Sequence, residues 1–268
     1  MSKEYLISYF NENDDIFYNL VKSKYTIIKL WFAIFDKLLN GEFRLICDIK
    51  SNDNNHEVVD RIFNDKSKGC KGYIIIHRCQ SMQRVLITNS WNNSTKIYTI
   101  NFPFVLSNEE SITDDTSFRF IYKSRQRGKY ESESFTFELI SHLRACINSI
   151  ESGKAVKDAI SSHLDDFVDE YDINKCCELE EVLPNIIHEL MILDEGYIRF
   201  DHDIQNSSEI QKSEDSERFK HPTYHFDIFW GQPSWKIGLN KSINHESILD
   251  ILSPDTNCSL LSYGAHKY

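Results

Sequence analysis

The spacing of apolar residues changes along this chain from a period of about 3.6 to a period of 2, back to 3.6, and back to 2 again, which limits the fold more than any single motif does. From Tyr25 to Leu39, the residues Ile27, Ile28, Trp31, Ile34, Phe35, Leu38 and Leu39 recur at helical intervals, and Asn40-Gly41 follows as a stop. A helix is predicted there, and the weaker repeat over Tyr5 to Val21 predicts a first helix packed against it. After Gly41 the runs Phe43–Lys50, Gly72–Cys79, Arg84–Trp91, Thr95–Val105 and Ser117–Lys123 are rich in β-branched and aromatic residues, with Asn92-Asn93 at a hairpin turn. They predict an antiparallel sheet of about five strands, with a short helix over 55–64 inserted between the first two.

From Ser134 to about Leu193 the helical period returns, on one stripe through Phe135, Leu139, Leu143, Cys146, Ile147 and Ile150 and on another through Val156, Ile160, Leu164 and Phe167. A third helix is predicted from roughly Cys177 to Leu193, with Pro184 forcing a kink or a restart. Strands return at Gly196–Ile204, Thr223–Phe229 and Ser234–Leu239, followed by a short helix near His245–Leu252. The expected class is α+β, a mainly antiparallel sheet with N-terminal helices, a central three-helix layer and C-terminal strands. The 268 residues divide as 1–133, N-terminal helices plus sheet, and 134–268, helical layer plus C-terminal strands, or join as a single domain.

Charge and cysteine usage narrow the function classes. With 41 acidic against 30 basic residues the net charge is -11, which repels polyanions and disfavours nucleic acid as a partner. Lys123, Arg125, Arg127 and Lys129 form the one dense basic run, read as a solvated loop. No segment reaches the roughly 18 to 20 apolar residues of a membrane span, and no signal peptide is evident. The seven cysteines lack metal-type pairing, as expected of a reduced, cytoplasmic protein.

The most informative stretch is Tyr197-Ile-Arg-Phe-Asp-His-Asp203, followed by a charged loop and His221-Pro-Thr-Tyr-His-Phe-Asp227. Side chains alternate faces along a strand, so His221, His225 and Asp227 share one face while Tyr224, Phe226 and Ile228 share the other. Arg199, Asp201 and Asp203 segregate in the same way, and Lys236 lies opposite Trp235 and Ile237. If the three strands are neighbours, one face collects His221, His225, Asp227 and Lys236 as candidate catalytic groups and Arg199, Asp201 and Asp203 as candidate ligand-binding groups. The alternation predicts that the polar set faces water and that Tyr224, Phe226 and Ile228 pack inward. The loop over 205–220, with many charges and only Ile210 and Phe219 apolar, is expected to be exposed beside this face.

Imidazoles and carboxylates at this spacing could hold a divalent metal through His221, His225 and Asp227, and a metal flanked by Lys and Arg could activate water against a phosphodiester. An ordinary wet sheet face with cross-strand His and Asp contacts is the plainer reading. A second candidate, Asp36 with Asp48-Ile-Lys50, has the acid, gap, acid-x-Lys order of metal-dependent nucleases, but Asp36 falls in a helical run where that pattern needs a strand. No Gly-x-Ser-x-Gly elbow or glycine-rich phosphate loop is present. His77 and Cys79 read as core packing, and His188-Glu189 as a helix surface pair.

The stretch from Glu195 to Asp203, with His221-Pro-Thr-Tyr-His-Phe-Asp227 and Lys236-Ile-Gly-Leu239, resembles a signature of uncharacterised bacterial proteins, some of them linked to mobile or phage-defence gene clusters. The resemblance covers roughly the last quarter of the chain and implies that these positions matter, without assigning an activity. Three functions are therefore expected to compete: a cytoplasmic accessory protein recognising a ligand or a protein partner, a metal-dependent nuclease or phosphodiesterase, and a structural subunit.

Overall fold

The structure is a computed structural model that describes residues 4–10, 14–17, 23–47, 72–78, 83–91, 94–106, 118–123, 128–166, 173–194, 196–202, 223–228 and 235–239, together with Ile243, Ile248 and Ile251. The main sheet contains β1 (Glu4–Phe10), β2 (Arg44–Cys47), β3 (Gly72–Arg78), β4 (Gln83–Trp91), β5 (Ser94–Phe102), β9 (Ile198–His202), β10 (Tyr224–Ile228) and β11 (Trp235–Leu239). Its spatial order is β11-β10-β9-β5-β4-β3-β1-β2, and a second sheet holds β6 (Phe104–Leu106), β7 (Phe118–Lys123) and β8 (Tyr130–Ser134). Every pairing among the described strands is antiparallel. The helices are α1 (Lys24–Leu39), α2 (Phe137–Glu151), α3 (Val156–Asp165) and α4 (Ile173–Ile192). The α+β class expected from the periods is the one observed.

The central strands bury both faces. Ile74, Ile76, Val85, Ile87, Tyr98 and Ile100 point into the core shared with the helices, while Tyr73, Ile75, Leu86 and Ile97 join Phe200 and Ile248 on the other side. This two-sided burial explains the one N-terminal element that departs from expectation. Residues 4–10, read as part of a helix over Tyr5 to Val21, form β1, with Phe10 in the helix-side core and Ile7 in the opposite one. A strand apolar on both faces gives a continuous apolar run that periodicity cannot separate from a buried helix. Asp15–Phe17 is a single 3-10 turn.

Helix α1 begins at Ser23, whose hydroxyl accepts a hydrogen bond from the Thr26 amide at 3.3 Å, and ends at Asn40 before Gly41, whose φ of 68° suits the stop. Its Trp31 Nε1 donates to the Asn101 carbonyl at 2.8 Å, fixing the helix across β5. The run expected over Thr95–Val105 breaks at Pro103, which has no amide to donate, and the chain passes there into the second sheet. Phe104, just beyond, meets Phe35 at 4.2 Å, Phe135 at 4.7 Å and Phe102 at 4.9 Å between ring centres, joining α1, both sheets and the entry to α2. Helix α4 runs through Pro184 without a restart. The short helix expected over 55–64 lies outside the described residues; of the one near His245–Leu252, Ile248 and Ile251 are helical and Ile248 is buried.

Helices α2 and α3 meet through two imidazoles: His142 Nδ1 and His163 Nε2 are 2.8 Å apart, with the rings edge to face at 5.0 Å. Such a hydrogen bond needs at least one neutral ring. Burial holds His163 below the ordinary imidazole value of 6.5, with Asp166 opposing the shift. Because the folded state disfavours the protonated form, its contribution is full above the unfolded value and is lost as pH falls. Wild-type stability to urea is expected to decline from pH 7 to about pH 5, and His163→Gln should flatten that decline; an unchanged slope in the variant would rule the pair out as its source.

Candidate functional site

The three C-terminal strands are neighbours, and their register aligns the polar residues in two rows. Lys96, Asp201, His225 and Gly238 face one another across β5, β9, β10 and β11, and one step along the strands Tyr98, Arg199, Asp227 and Lys236 do the same. The start of β9 is locked by a turn at Gly196, which has φ 52°. A Cβ at Gly196 would come within 2.7 Å of Arg84 Nη2 and 2.8 Å of the Asn101 amide, so a side chain there would both sit at a positive φ and push aside the two groups that tie the turn. Arg84 Nη2 donates to the Gly196 carbonyl at 3.0 Å and Asn101 Nδ2 to the Asp194 carbonyl at 2.9 Å, which fixes the register of β9 on β5.

Arg199 is the centre of the cluster. Its Nε donates to Asp201 Oδ2 at 2.9 Å, and its Nη2 lies 2.7 Å from the same oxygen and also donates to Asp227 Oδ2. His225 Nε2 stands 3.4 Å from Asp201 Oδ2 and 3.8 Å from Asp227 Oδ2, and Lys236 Nζ is 3.8 Å from Asp227 Oδ1. The charges of Arg199 and Lys236 balance those of the two carboxylates. Beneath them the Tyr197 phenol, pushed up to about 12 by burial with Arg199 opposing, packs 6.0 Å from Tyr98, whose hydroxyl donates to the Phe17 carbonyl at 3.2 Å. The carboxyl of Asp201 is pushed up by burial, but hydrogen bonds from His225 and Arg199 and the Arg199 charge outweigh this and hold it below its ordinary value.

The expected wet face is a buried one. Asp201, His225 and Asp227 are only 6%, 5% and 5% exposed, whereas Tyr224 and Phe226 are half-buried against the smaller core around Phe200 and Ile248. The polar residues share the face of Tyr98, Ile100 and Tyr197, which is the side of the helical layer. Alternation separates the two faces correctly but does not say which is covered. The price is visible in one atom: Asp201 Oδ1 is buried and has no hydrogen-bond partner among the described residues.

Of the predicted site residues, Arg199, Asp201, His225, Asp227 and Lys236 come together, while Asp203, His221 and the loop over 205–220 lie outside the described residues. Asp201, His225 and Asp227 each offer one atom to a group in which all three atoms lie within 4.8 Å of one another, the only such group among the described residues. The second candidate does not assemble there: Asp36 sits on α1 and accepts a hydrogen bond from Arg144 Nη2 at 2.7 Å, and Asp48 and Lys50 lie outside the described residues. Sequence reasoning missed Lys96 and Tyr98, whose alternation with Ile97 and Thr99 was legible but whose pairing with β9 was not.

The described residues include no helix long and apolar enough to cross a membrane. Comparison with known proteins gives no match to any protein family, curated protein or solved structure. The fold and site thus define an α+β protein with a buried, charge-balanced cluster at one end of an eight-stranded antiparallel sheet.

Removing one partner of a buried ion pair strands the other, at a cost of about 3–5 kcal/mol. Arg199→Ala is therefore expected to lose stability on that order at pH 7, read from urea unfolding. The loss should shrink towards pH 4, because carboxyls deprived of the guanidinium take up protons more readily. A loss below about 1 kcal/mol at pH 7, within the range of an exposed pair, would contradict the cluster's geometry.

Proposed function

We propose that this chain is a recognition protein whose ligand site is the Arg199–Asp201–His225–Asp227 cluster, acting as a cytoplasmic accessory component of a bacterial defence-type system with a protein partner. One observation carries the reading: three side chains able to bear charge are buried to 5–6% exposure around a guanidinium. Buried ionic clusters contribute little net stability, since well-packed apolar replacements of similar volume are often neutral or stabilising. A fold that needed only a packed sheet end would be served as well by apolar residues, so recognition is the better account of the cluster. The link to a defence system rests on the order of residues from Glu195 to Leu239.

A second reading, a metal-dependent nuclease or phosphodiesterase, is favoured by the close approach of Asp201, His225 and Asp227. It needs a bound metal with a position open to water. Against it, Arg199 already engages Oδ2 of both carboxylates, and the net charge of -11 opposes a polyanionic substrate. Recognition therefore ranks first.

The variant Arg199→Met with Asp201→Leu and Asp227→Leu separates function from stability. Its urea stability is expected within about 2 kcal/mol of wild type or above it, while the ligand or protein that co-purifies with wild type, identified by mass spectrometry, is lost. If the folded triple variant retains the same companions, the cluster is a structural device and the proposal fails. Incubation of wild type with nucleic acids and magnesium, manganese or zinc should leave them intact; cleavage abolished by His225→Gln would favour the hydrolytic reading instead.

A further inference from the structure

We infer that the outer face of the second sheet docks an extended acidic segment of a protein partner, which adds a strand beside β8. This surface is separate from the Arg199 cluster, and its test does not depend on how that cluster is read. Phe120 on β7 is fully buried against Phe104 and Phe135, so Arg119 and Ile121, which alternate with it, turn away from the core. Register sets Ser134 opposite Arg119 and Ser132 opposite Ile121, which puts Tyr130, Ser132 and Ser134 of β8 on the same outer face. Ile121 is 48% exposed there and Tyr130 76%. The acidic residues of β8, Glu131 and Glu133, alternate to the opposite side, so the outer face of β7 and β8 carries no carboxylate.

The charge of this face is opposite to that of the whole chain. Arg119 and Lys129 are exposed and have no ion-pair partner among the described residues. The run from Lys123 to Lys129, which joins β7 to β8, holds four cations and no acid in a chain of net charge -11. The second element is an open strand edge, since β8 is the last strand of its sheet and has β7 as its one neighbour among the described strands. A peptide that pairs with such an edge gains main-chain hydrogen bonds and uses every second side chain for specificity. The rows begin at Tyr130 beside Lys129, pass Ile121 with Ser132 and end at Arg119 with Ser134. The complementary segment therefore alternates acid, apolar, acid at every second residue. A short acidic segment fits better than a nucleic-acid strand, because a longer polyanion would also meet the net negative charge of the rest of the chain. Ile121, in turn, offers no ring on which a base could stack.

The test uses the full chain and a dye-labelled peptide, Thr-Glu-Thr-Ile-Thr-Glu-Thr, read by fluorescence anisotropy. The peptide is expected to bind and to be released as salt rises from about 0.05 M to about 0.5 M, because exposed ion pairs are screened over that range. Arg119→Thr combined with Lys129→Ser should leave the urea transition unchanged and weaken binding roughly five- to tenfold. Ile121→Thr should weaken it by a smaller factor without altering the salt dependence. Of two peptides N-methylated on alternate amides, one should bind and the other not, because only every second residue of an added strand turns its amide to β8. Absence of peptide binding by folded wild type overturns the inference. So does binding unchanged in the double variant, or equal affinity of the two methylated peptides. A poly-uridine or poly-thymidine strand that binds more tightly than the peptide would give the face to nucleic acid, and a wild-type dimer that dissociates in the double variant would give it to a second copy; either result overturns the assignment.

Discussion

The pairing of β9 with β5 is the contact on which the rest of the arrangement depends. Five residue pairs, from Thr95 with His202 to Thr99 with Ile198, join the C-terminal strands to the sheet built by the first hundred residues. Without this seam β9, β10 and β11 would form a three-stranded ribbon with two open edges, and the polar rows would have no Tyr98 or Lys96 beside them. A slip of one residue would be severe, because it would turn Arg199, Asp201, His225 and Asp227 to the side of Phe200 and Ile248 and bring Phe200 and Phe226 round to the side of Tyr98 and Tyr197. The Gly196 turn, tied by Arg84 and Asn101, is what prevents that slip.

The cluster is tolerated because it is assembled as a unit. Each buried carboxylate carries a desolvation cost that a lone aspartate could not bear, and the three contacts of one guanidinium offset it for both at once. The planar fork of arginine matters here, since a lysine could not reach Oδ2 of both Asp201 and Asp227 with fixed geometry. The same arrangement explains why Asp201 stays ionised despite burial: the donors of His225 and Arg199 outweigh desolvation.

Much of this was legible in the sequence, and the failures have identifiable causes. The face shared by Arg199, Asp201, His225 and Asp227 followed from a period of 2 on the condition that the last three strands are neighbours, a condition the pairing meets. Burial did not follow, because alternation reports two faces and is silent on which one other elements cover. Residues 4–10 were misread for a related reason: with Ile7 on one face and Phe10 on the other both buried, the strand has no polar face to mark it. Strand β8 escaped notice because Tyr130-Glu-Ser-Glu-Ser134 has no run of apolar or β-branched residues and owes its strand form to pairing with β7, the strand just before it.

The two oxygens of each buried carboxylate are not treated alike. A cluster built only to neutralise charge would be expected to satisfy the outer oxygens as well, because an unfilled acceptor in a dry environment costs about 1–3 kcal/mol with no compensating contact. Here the guanidinium meets the Oδ2 atoms, while Asp201 Oδ1 is left buried without a partner among the described residues and Asp227 Oδ1 has only Lys236 at 3.8 Å. The fold therefore holds both carboxylates by their Oδ2 atoms, which His225 Nε2 also approaches at 3.4 and 3.8 Å, and leaves the other oxygens less well satisfied. That asymmetry is set by the register of three strands and by one arginine, and it ties the backbone pairing directly to the contacts each carboxylate oxygen makes.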